Sequence, residues 1–153
     1  MMRRHLAQSP LSTARKRDGF SLIEILIAIA LVGIITAIVY PSYLDQIRQS
    51  RRAEAKSTLQ TVLQQQERFY TDNNTYTGNL TNLGYANNTF TLDNGFYQVS
   101  AQQCGGAGWV RCVQVRAAAL GDQQNDVCDQ LTLNSRGQRT AQKNGSDVTQ
   151  DCW

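Results

Sequence analysis

The hydrophobic pattern of the chain is dominated by one long apolar run near the N-terminus. Between Phe20 and Tyr40 the sequence reads FSLIEILIAIALVGIITAIVY, with a single charged side chain. Such a run predicts a helix about 30 Å long, because each residue of an α-helix rises by about 1.5 Å. That length matches the hydrocarbon core of a bilayer, so the run predicts a membrane-spanning helix.

The charged residue inside this run is Glu24. A carboxylate at the centre of a membrane costs at least about 2.5 kcal/mol, so an acid in a membrane span predicts a functional group with a cationic partner. The alternative is a position near the helix end, from which the side chain reaches the lipid headgroups.

A second, amphipathic pattern follows from Ser42 to about Asp72. Its apolar positions recur at spacings of three and four residues, which predicts a helix with one buried face. The predicted buried stripe consists of Tyr43, Ile47, Ala55, Leu59, Val62, Leu63, Gln66, Phe69 and Tyr70. We expect Arg48, Arg51 and Arg52 to lie on a solvated face, with contact to anionic headgroups as the alternative.

Pro41 lies at the junction of the two patterns. A proline within a helix removes one backbone hydrogen bond and its ring clashes with the preceding turn. We therefore expect the helix to be kinked or loosened at this position.

The C-terminal part alternates between turn-rich and strand-like segments. Residues 71–94 are crowded with Asn, Thr and Gly, a composition typical of loops. Strand patterns follow at Phe96–Ala101, Val110–Ala117 and Leu131–Leu133. Residues Asn134–Gly137 have the composition of a turn. Antiparallel strands with short connections beside one long helix predict an α+β fold, in which the N-terminal helix packs against a small antiparallel sheet.

Charge is unevenly distributed along the chain. The sequence has fifteen Lys and Arg against twelve Asp and Glu, a net charge of +3. The basic residues that precede the apolar run are Arg3, Arg4, Arg15, Lys16 and Arg17. The positive-inside rule then predicts a cytoplasmic N-terminus and an outward C-terminal domain. The remainder is close to neutral, which argues against a nucleic-acid partner.

Four cysteines lie in the C-terminal half of the chain. An even number in a small exported domain indicates disulfides, and three pairings are possible. We expect Cys104–Cys112 across the glycine-rich segment and Cys128–Cys152 at the C-terminus. Zinc ligation is the alternative, but the spacing lacks a Cys-x-x-Cys pair.

The sequence contains no recognisable catalytic constellation. His5 is the single histidine and lies in the basic N-terminal segment, so the outward domain has no Ser–His or Cys–His pair. The glycines of Gly105–Gly108 lie between predicted strands and not before a helix, unlike those of a phosphate loop. For Asp122, Asp126 and Asp129 we expect a polar loop, with a calcium site as the alternative. We expect no enzymatic activity, cofactor or metal.

The segment Gly19–Glu24, GFSLIE, resembles the prepilin cleavage and methylation motif of type IV pilins and the related pseudopilins. The resemblance implies that a membrane aspartyl protease cuts after Gly19 on the cytoplasmic side and methylates the new terminal amine of Phe20. It also implies that Glu24 pairs with the terminal amine of a neighbouring subunit. Asp18 and the long segment before Gly19 depart from the usual leader.

Further positions match the same family. Gly33 and Pro41 fall at its characteristic glycine and proline, which implies that this part of the helix melts in assembled fibres. The Cys128–Cys152 segment resembles the disulfide-bounded region of type IV pilins. Two stretches, Gln66–Tyr70 and Leu131–Ala141, resemble PilE-type minor pilins.

The resemblance implies four segments: a leader at 1–19, a transmembrane and fibre-core helix at 20–41, an amphipathic helix at 42–72, and a head at 73–153. It implies a structural subunit, of the minor class, that supports pilus assembly, twitching motility and adhesion. The expected location is the bacterial inner membrane and then the pilus. Its partners would be other pilin subunits, the prepilin peptidase and the inner-membrane assembly platform. The alternatives are a pseudopilin of a type II secretion system and a pilin that binds DNA for uptake.

Overall fold

The computed structural model of the chain describes residues 19–153, with Pro41 described by its backbone alone. Residues 1–18, which are all of the predicted leader except Gly19 and include its basic residues, lie outside this range. The chain divides into two compact units between Val39 and Tyr40. Helix α1, Leu22–Asn73, is continuous in secondary structure through Pro41, so the melting of this segment in a fibre stays a prediction.

The described part of the first unit is almost wholly helical, and its side chains are exposed throughout. Its large apolar side chains are about half exposed or more, from Leu26 at 49% to Leu22 at 78%. By length and composition, α1 is the helix of the described chain that could cross a membrane. Apolar surface of this extent requires a lipid or protein cover.

The second unit contains one antiparallel sheet of six strands in sequential order. The strands are β1 Phe90–Thr91, β2 Tyr97–Gln103, β3 Val113–Ala119, β4 Gln130–Asn134, β5 Arg139–Lys143 and β6 Ser146–Asp147. Two 3₁₀ helices, Leu80–Leu83 and Gly121–Asn125, lie in the connections, and a short helix α2, Thr149–Cys152, ends the chain. The predicted α+β class is confirmed.

The core lies between α1 and one face of the sheet. Ala55, Leu59 and Val62 are fully buried, and their spacing of four and three residues places them on one side of the helix. They share a cluster with sheet residues that include Val115 and Leu131. Full burial of a Val or Leu side chain contributes about 1.5–3 kcal/mol, so these positions hold helix and sheet together.

The predicted stripe is correct in its middle and wrong at its N-terminal end. Tyr43 is 60% exposed and Ile47 is half-buried. Both precede Arg52, the first buried residue of α1. Near the C-terminal end of the helix, Phe69 and Tyr70 are half-buried.

The strand predictions differ from the structure at their ends. The predicted strand from Val110 begins at Val113, because the disulfide-closed segment before it forms a turn and leaves Val110 62% exposed. Strands β1, β5 and β6 are absent from the prediction. Strand β5 reads RTAQK and has one apolar side chain, Ala141, so its composition does not indicate a strand. It forms a strand because it pairs with β4.

Candidate functional site

The N-terminal motif lies at the start of α1. Gly19 and Phe20 precede the helix, and the carbonyl of Ser21 accepts the backbone N–H groups of Glu24 at 3.0 Å and Ile25 at 3.2 Å. Glu24 therefore lies in the first helical turn, where the helix dipole favours a negative charge. Phe20 is 78% exposed and Glu24 is exposed. The acid and the predicted new chain end are thus both accessible to another molecule.

Gly33 lies within the exposed helix and makes no close contact in the described chain. A Cβ built at this glycine meets no atom within 4 Å. The fold of the subunit itself therefore gives no steric reason for glycine here, and the residue is free to take part in contacts with a neighbour.

In the head, Arg52 and Asp126 join α1 to the loop between β3 and β4. Arg52 Nε and Nη2 donate to the two Asp126 carboxylate oxygens at 2.9 and 2.7 Å. Arg52 Nη1 also donates to the carbonyl of Asp151 at 3.2 Å. The arginine is 8% exposed and the aspartate 4%. The prediction that Arg52 lies on a solvated face is therefore wrong, because this arginine pairs with Asp126, an acid distant in sequence.

The other two arginines of this group also face the loop. Arg48 Nη2 and Arg51 Nη1 lie 3.5 and 3.8 Å from the Asp122 carboxylate. The Arg51 guanidinium lies 3.4 Å from the ring centroid of Phe96, a cation–π contact. Their side chains are only 17% and 23% exposed, so the solvated-face prediction is wrong here too.

The aspartates considered for calcium have other partners. Asp122 and Asp126 face arginines, and Asp129 Oδ2 accepts the backbone N–H of Asn144 at 2.8 Å. Within residues 19–153, no group of three or more His, Cys, Asp or Glu side chains has the arrangement to hold a metal ion.

Gln123 completes the buried polar network beneath these ion pairs. Its Nε2 lies 3.1 Å from both Asp126 Oδ2 and the Tyr97 hydroxyl and 3.2 Å from the carbonyl of Arg48, so two N–H groups are shared among three acceptors. Burial raises the pKa of Tyr97 to about 12, because the phenolate would lose its hydration. The network fixes the β3–β4 loop on the helix.

Both expected disulfides are present, Cys104–Cys112 and Cys128–Cys152. The first closes the glycine-rich loop, whose Trp109 packs on Gly78: a Cβ at this glycine would lie 2.6 Å from the indole ring. The second joins the start of β4 to α2.

Gln66 has a structural role that the sequence analysis did not predict, although it placed this residue on the buried stripe. Its side-chain amide donates from Nε2 to the Thr77 carbonyl at 2.7 Å, and its Oε1 accepts the Thr77 N–H at 3.1 Å. These two hydrogen bonds attach the loop after α1 to the helix, with one bond donated and one accepted by the Thr77 backbone, as in pairing between two strands. A glutamine among apolar stripe residues was the available signal for such a role.

The outer face of the sheet carries mostly uncharged polar side chains. By register, this face contains Gln98, Ser100, Gln102, Gln114, Arg116, Ala118, Gln130, Thr132, Asn134, Thr140 and Gln142. Arg116 lies on β3 between Ser100 and Thr132 and has no acid as a direct cross-strand neighbour. Arg111 and Arg136 are exposed at the end of the sheet where β3 begins and β4 ends.

The described chain contains an exposed apolar helix that needs an external cover and a unit in which a helix packs against an antiparallel sheet. The chain belongs to the family described as "Type IV minor pilin ComP, DNA uptake sequence receptor", whose model matches residues 41–132. A second model, the prokaryotic N-terminal methylation motif, matches residues 14–40. The chain is thus a type IV pilin with a prepilin-type N-terminus.

Known proteins resemble the chain over different lengths. The type IV wide pilus major component PilA4 of Thermus thermophilus is 33% identical over 105 residues, which cover 62% of this chain and 80% of that protein. The type IV major pilin PilA of Myxococcus xanthus is 32% identical over 71 residues, or 46% of this chain and 32% of that protein. A solved type IV pilin from Shewanella oneidensis has a TM-score of 0.49 and 25% identity, covering 69% of this chain and 97% of that one.

Proposed function

We propose that the protein is a structural, non-catalytic subunit of a type IV pilus, of the minor class. The observation that carries the proposal is the exposed apolar helix with Glu24 in its first turn, directly after the Gly19–Phe20 pair. Before assembly, residues 20–41 hold the subunit in the bacterial inner membrane with the N-terminus in the cytoplasm. After assembly, the same surface packs in the fibre core, and the head lies on the periplasmic and then the cell-surface side.

Processing supplies the partner that Glu24 requires. Cleavage after Gly19 by the prepilin peptidase leaves an ammonium group on Phe20, and the same enzyme methylates it. A carboxylate within hydrocarbon is tolerated when a cation meets it, and the terminal amine of an adjacent subunit enters the membrane at that depth. Because both charges are satisfied in one axial position only, the pair sets the register between subunits on the assembly platform.

Replacing Glu24 by Leu tests this mechanism. We expect the Glu24→Leu variant to insert in the membrane at the normal level and to be processed, but to be lost from sheared surface fibres. Ile25→Leu, a conservative change at the adjacent exposed position, is the matched control and should enter fibres normally. Quantitative mass spectrometry of membranes and fibres measures both. Normal incorporation of Glu24→Leu would contradict the charge-pairing mechanism.

DNA capture is the second candidate function, and the family description supports it over the sequence-based expectation of no nucleic-acid partner. The cations with which the head would meet phosphates are Arg111 and Arg136 at one end of the sheet and Arg116 on its outer face. Binding through phosphates weakens steeply with salt, because neutralised phosphates release their counterions.

The detergent-purified chain should therefore bind duplex DNA at low salt concentration and release the DNA as the salt concentration rises. Arg111→Gln with Arg136→Gln should reduce the salt slope by about 2, since each phosphate contact contributes about 1. An unchanged slope excludes these two residues.

The family assignment favours the pilus over the secretion-system alternative. Adhesion and twitching motility would follow from the presence of the subunit in the fibre. A chain in sheared fibres that begins at N-methylated Phe20 would support the processing scheme, whereas a chain in fibres that retains its leader would contradict it.

A further inference from the structure

Two Asn-Gly pairs occur in the sequence, Asn94–Gly95 and Asn144–Gly145. In such a pair the glycine nitrogen can attack the asparagine side-chain carbonyl carbon, because glycine has no Cβ to shield the approach. The new C–N bond closes a succinimide ring, and the side-chain nitrogen leaves as ammonia. Water then opens the ring to aspartate or isoaspartate. Water is the only co-reactant, and nothing is oxidised or reduced.

The first pair is held at three points. Asn94 Nδ2 donates to Glu54 Oε2 at 2.6 Å, and Asn94 Oδ1 accepts the backbone N–H of Phe96 at 2.9 Å. The attacking group is also occupied, since Gly95 N–H donates to the Leu92 carbonyl at 2.8 Å. The amide and the nucleophile therefore cannot approach each other unless three hydrogen bonds break.

The second pair lacks these restraints. Asn144 and Gly145 are exposed and form the two-residue turn between β5 and β6, with φ values of 51° and 83°. Asn144 is held by its backbone N–H, which donates to Asp129 Oδ2 at 2.8 Å. Within residues 19–153, its side-chain amide makes no hydrogen bond and Gly145 N–H donates to no backbone acceptor.

The position of this turn in the sheet favours its opening. Strand β6 has only two residues and forms one edge of the sheet, paired to β5 alone. The other edge strand, β1, is equally short and precedes the Asn94–Gly95 pair, so the two pairs differ in their hydrogen bonds and not in their position in the sheet. Short edge elements open locally at a much lower free energy than the packed core. Such opening lets the Asn144 side chain reach the Gly145 nitrogen without unfolding the head.

We propose that Asn144 is a spontaneous modification site that deamidates in the folded protein, while Asn94 is preserved. The product carboxylate belongs to the residue whose backbone N–H donates to Asp129 Oδ2, so it adds negative charge next to the contact that holds the turn. Isoaspartate also lengthens the main chain by one carbon and disrupts the Lys143–Ser146 pairing. An aged subunit then carries one more negative charge and a loosened β5–β6 edge.

The test uses the full chain, purified in detergent with its disulfides intact and incubated at mildly alkaline pH. Samples are digested at acidic pH, where the reaction is slow, and mass spectrometry quantifies both asparagines. We expect Asn144 to convert at least about tenfold faster than Asn94, reflecting the different free energies of local opening. In the reduced, unfolded chain the two rates should be similar, because glycine follows both residues.

The Glu54→Ala variant tests the cause of protection at Asn94. Loss of the Glu54 acceptor should accelerate conversion of Asn94 and leave the Asn144 rate unchanged. Equal rates for the two residues in the folded protein, or conversion of Asn144 only after unfolding, would overturn the proposal. An unchanged Asn94 rate in Glu54→Ala would overturn the role assigned to that hydrogen bond.

Discussion

Arg52 on α1 and Asp126 in the β3–β4 loop form a two-point ion pair across 74 residues of sequence, with both side chains nearly fully buried. A buried pair of this kind gains little net energy when formed, since both charges lose their hydration. The loss of one partner is costly, because the other charge stays buried and unpaired. The pair therefore determines the position of the β3–β4 loop on the helix more than it adds to stability.

Removal of the acid should destabilise the head strongly. We expect Asp126→Ala to lower the free energy of unfolding by about 3–5 kcal/mol, the usual cost of leaving a buried charge uncompensated. Denaturant unfolding of the detergent-solubilised chain measures this. Asp45→Ala is the matched control: its side chain is 72% exposed at 3.5 Å from Arg48, and an exposed pair contributes at most about 1 kcal/mol. Equal losses in the two variants would contradict the assignment.

Gly78 should not tolerate a side chain while Trp109 is present. A Cβ at this position lies 2.6 Å from the indole ring, so Gly78→Ala forces the ring or the loop to move. We expect a loss of about 1–3 kcal/mol, as for other overpacked sites. In a Trp109→Leu background the same substitution should cost much less, since the two residues are in contact and their effects do not add. Additive effects in this double-mutant cycle would argue against the clash.

The two disulfides should contribute unequally to stability. They span sequence separations of 8 and 24 residues. The chain-entropy model gives about 2.5 kcal/mol for the shorter loop and about 3.5 kcal/mol for the longer one. Replacing both cysteines of each pair by Ser should therefore cost more for Cys128–Cys152 than for Cys104–Cys112, as measured by denaturant unfolding. The reverse order would show that native contacts outweigh loop entropy.

Tyr97 should make the head sensitive to alkaline pH. Its pKa is raised by burial from 10.0 to about 12, so the unfolded chain loses this proton before the folded protein does. Stability from this group is fully present below pH 10 and is lost as the pH rises from 10 to about 12. Tyr97→Phe should reduce the decline in unfolding free energy across that interval. An identical alkaline decline in the variant would contradict this source.

The sequence predicted most reliably what depends on local pattern. The apolar run, the spacing of Ala55, Leu59 and Val62, and the alternation within β3 are short-range regularities, and the structure confirms the helix and sheet that they imply. Strand β5 escaped prediction, because its partner β4 determines its conformation and its own composition does not. Pairing of the four cysteines followed from an expected glycine turn and C-terminal closure, and both bridges are present.

The sequence by itself determined an apolar helix with an acid near its start, an amphipathic continuation and an antiparallel, disulfide-bonded head. Only the tertiary structure decided that Arg52 is buried against Asp126, that Gln66 binds Thr77, and that of two identical Asn-Gly pairs one is restrained. The physical reason is range. Hydrophobic periodicity is a property of neighbouring residues, whereas the partner of a charge or an amide is whichever group the folded chain brings within hydrogen-bonding distance.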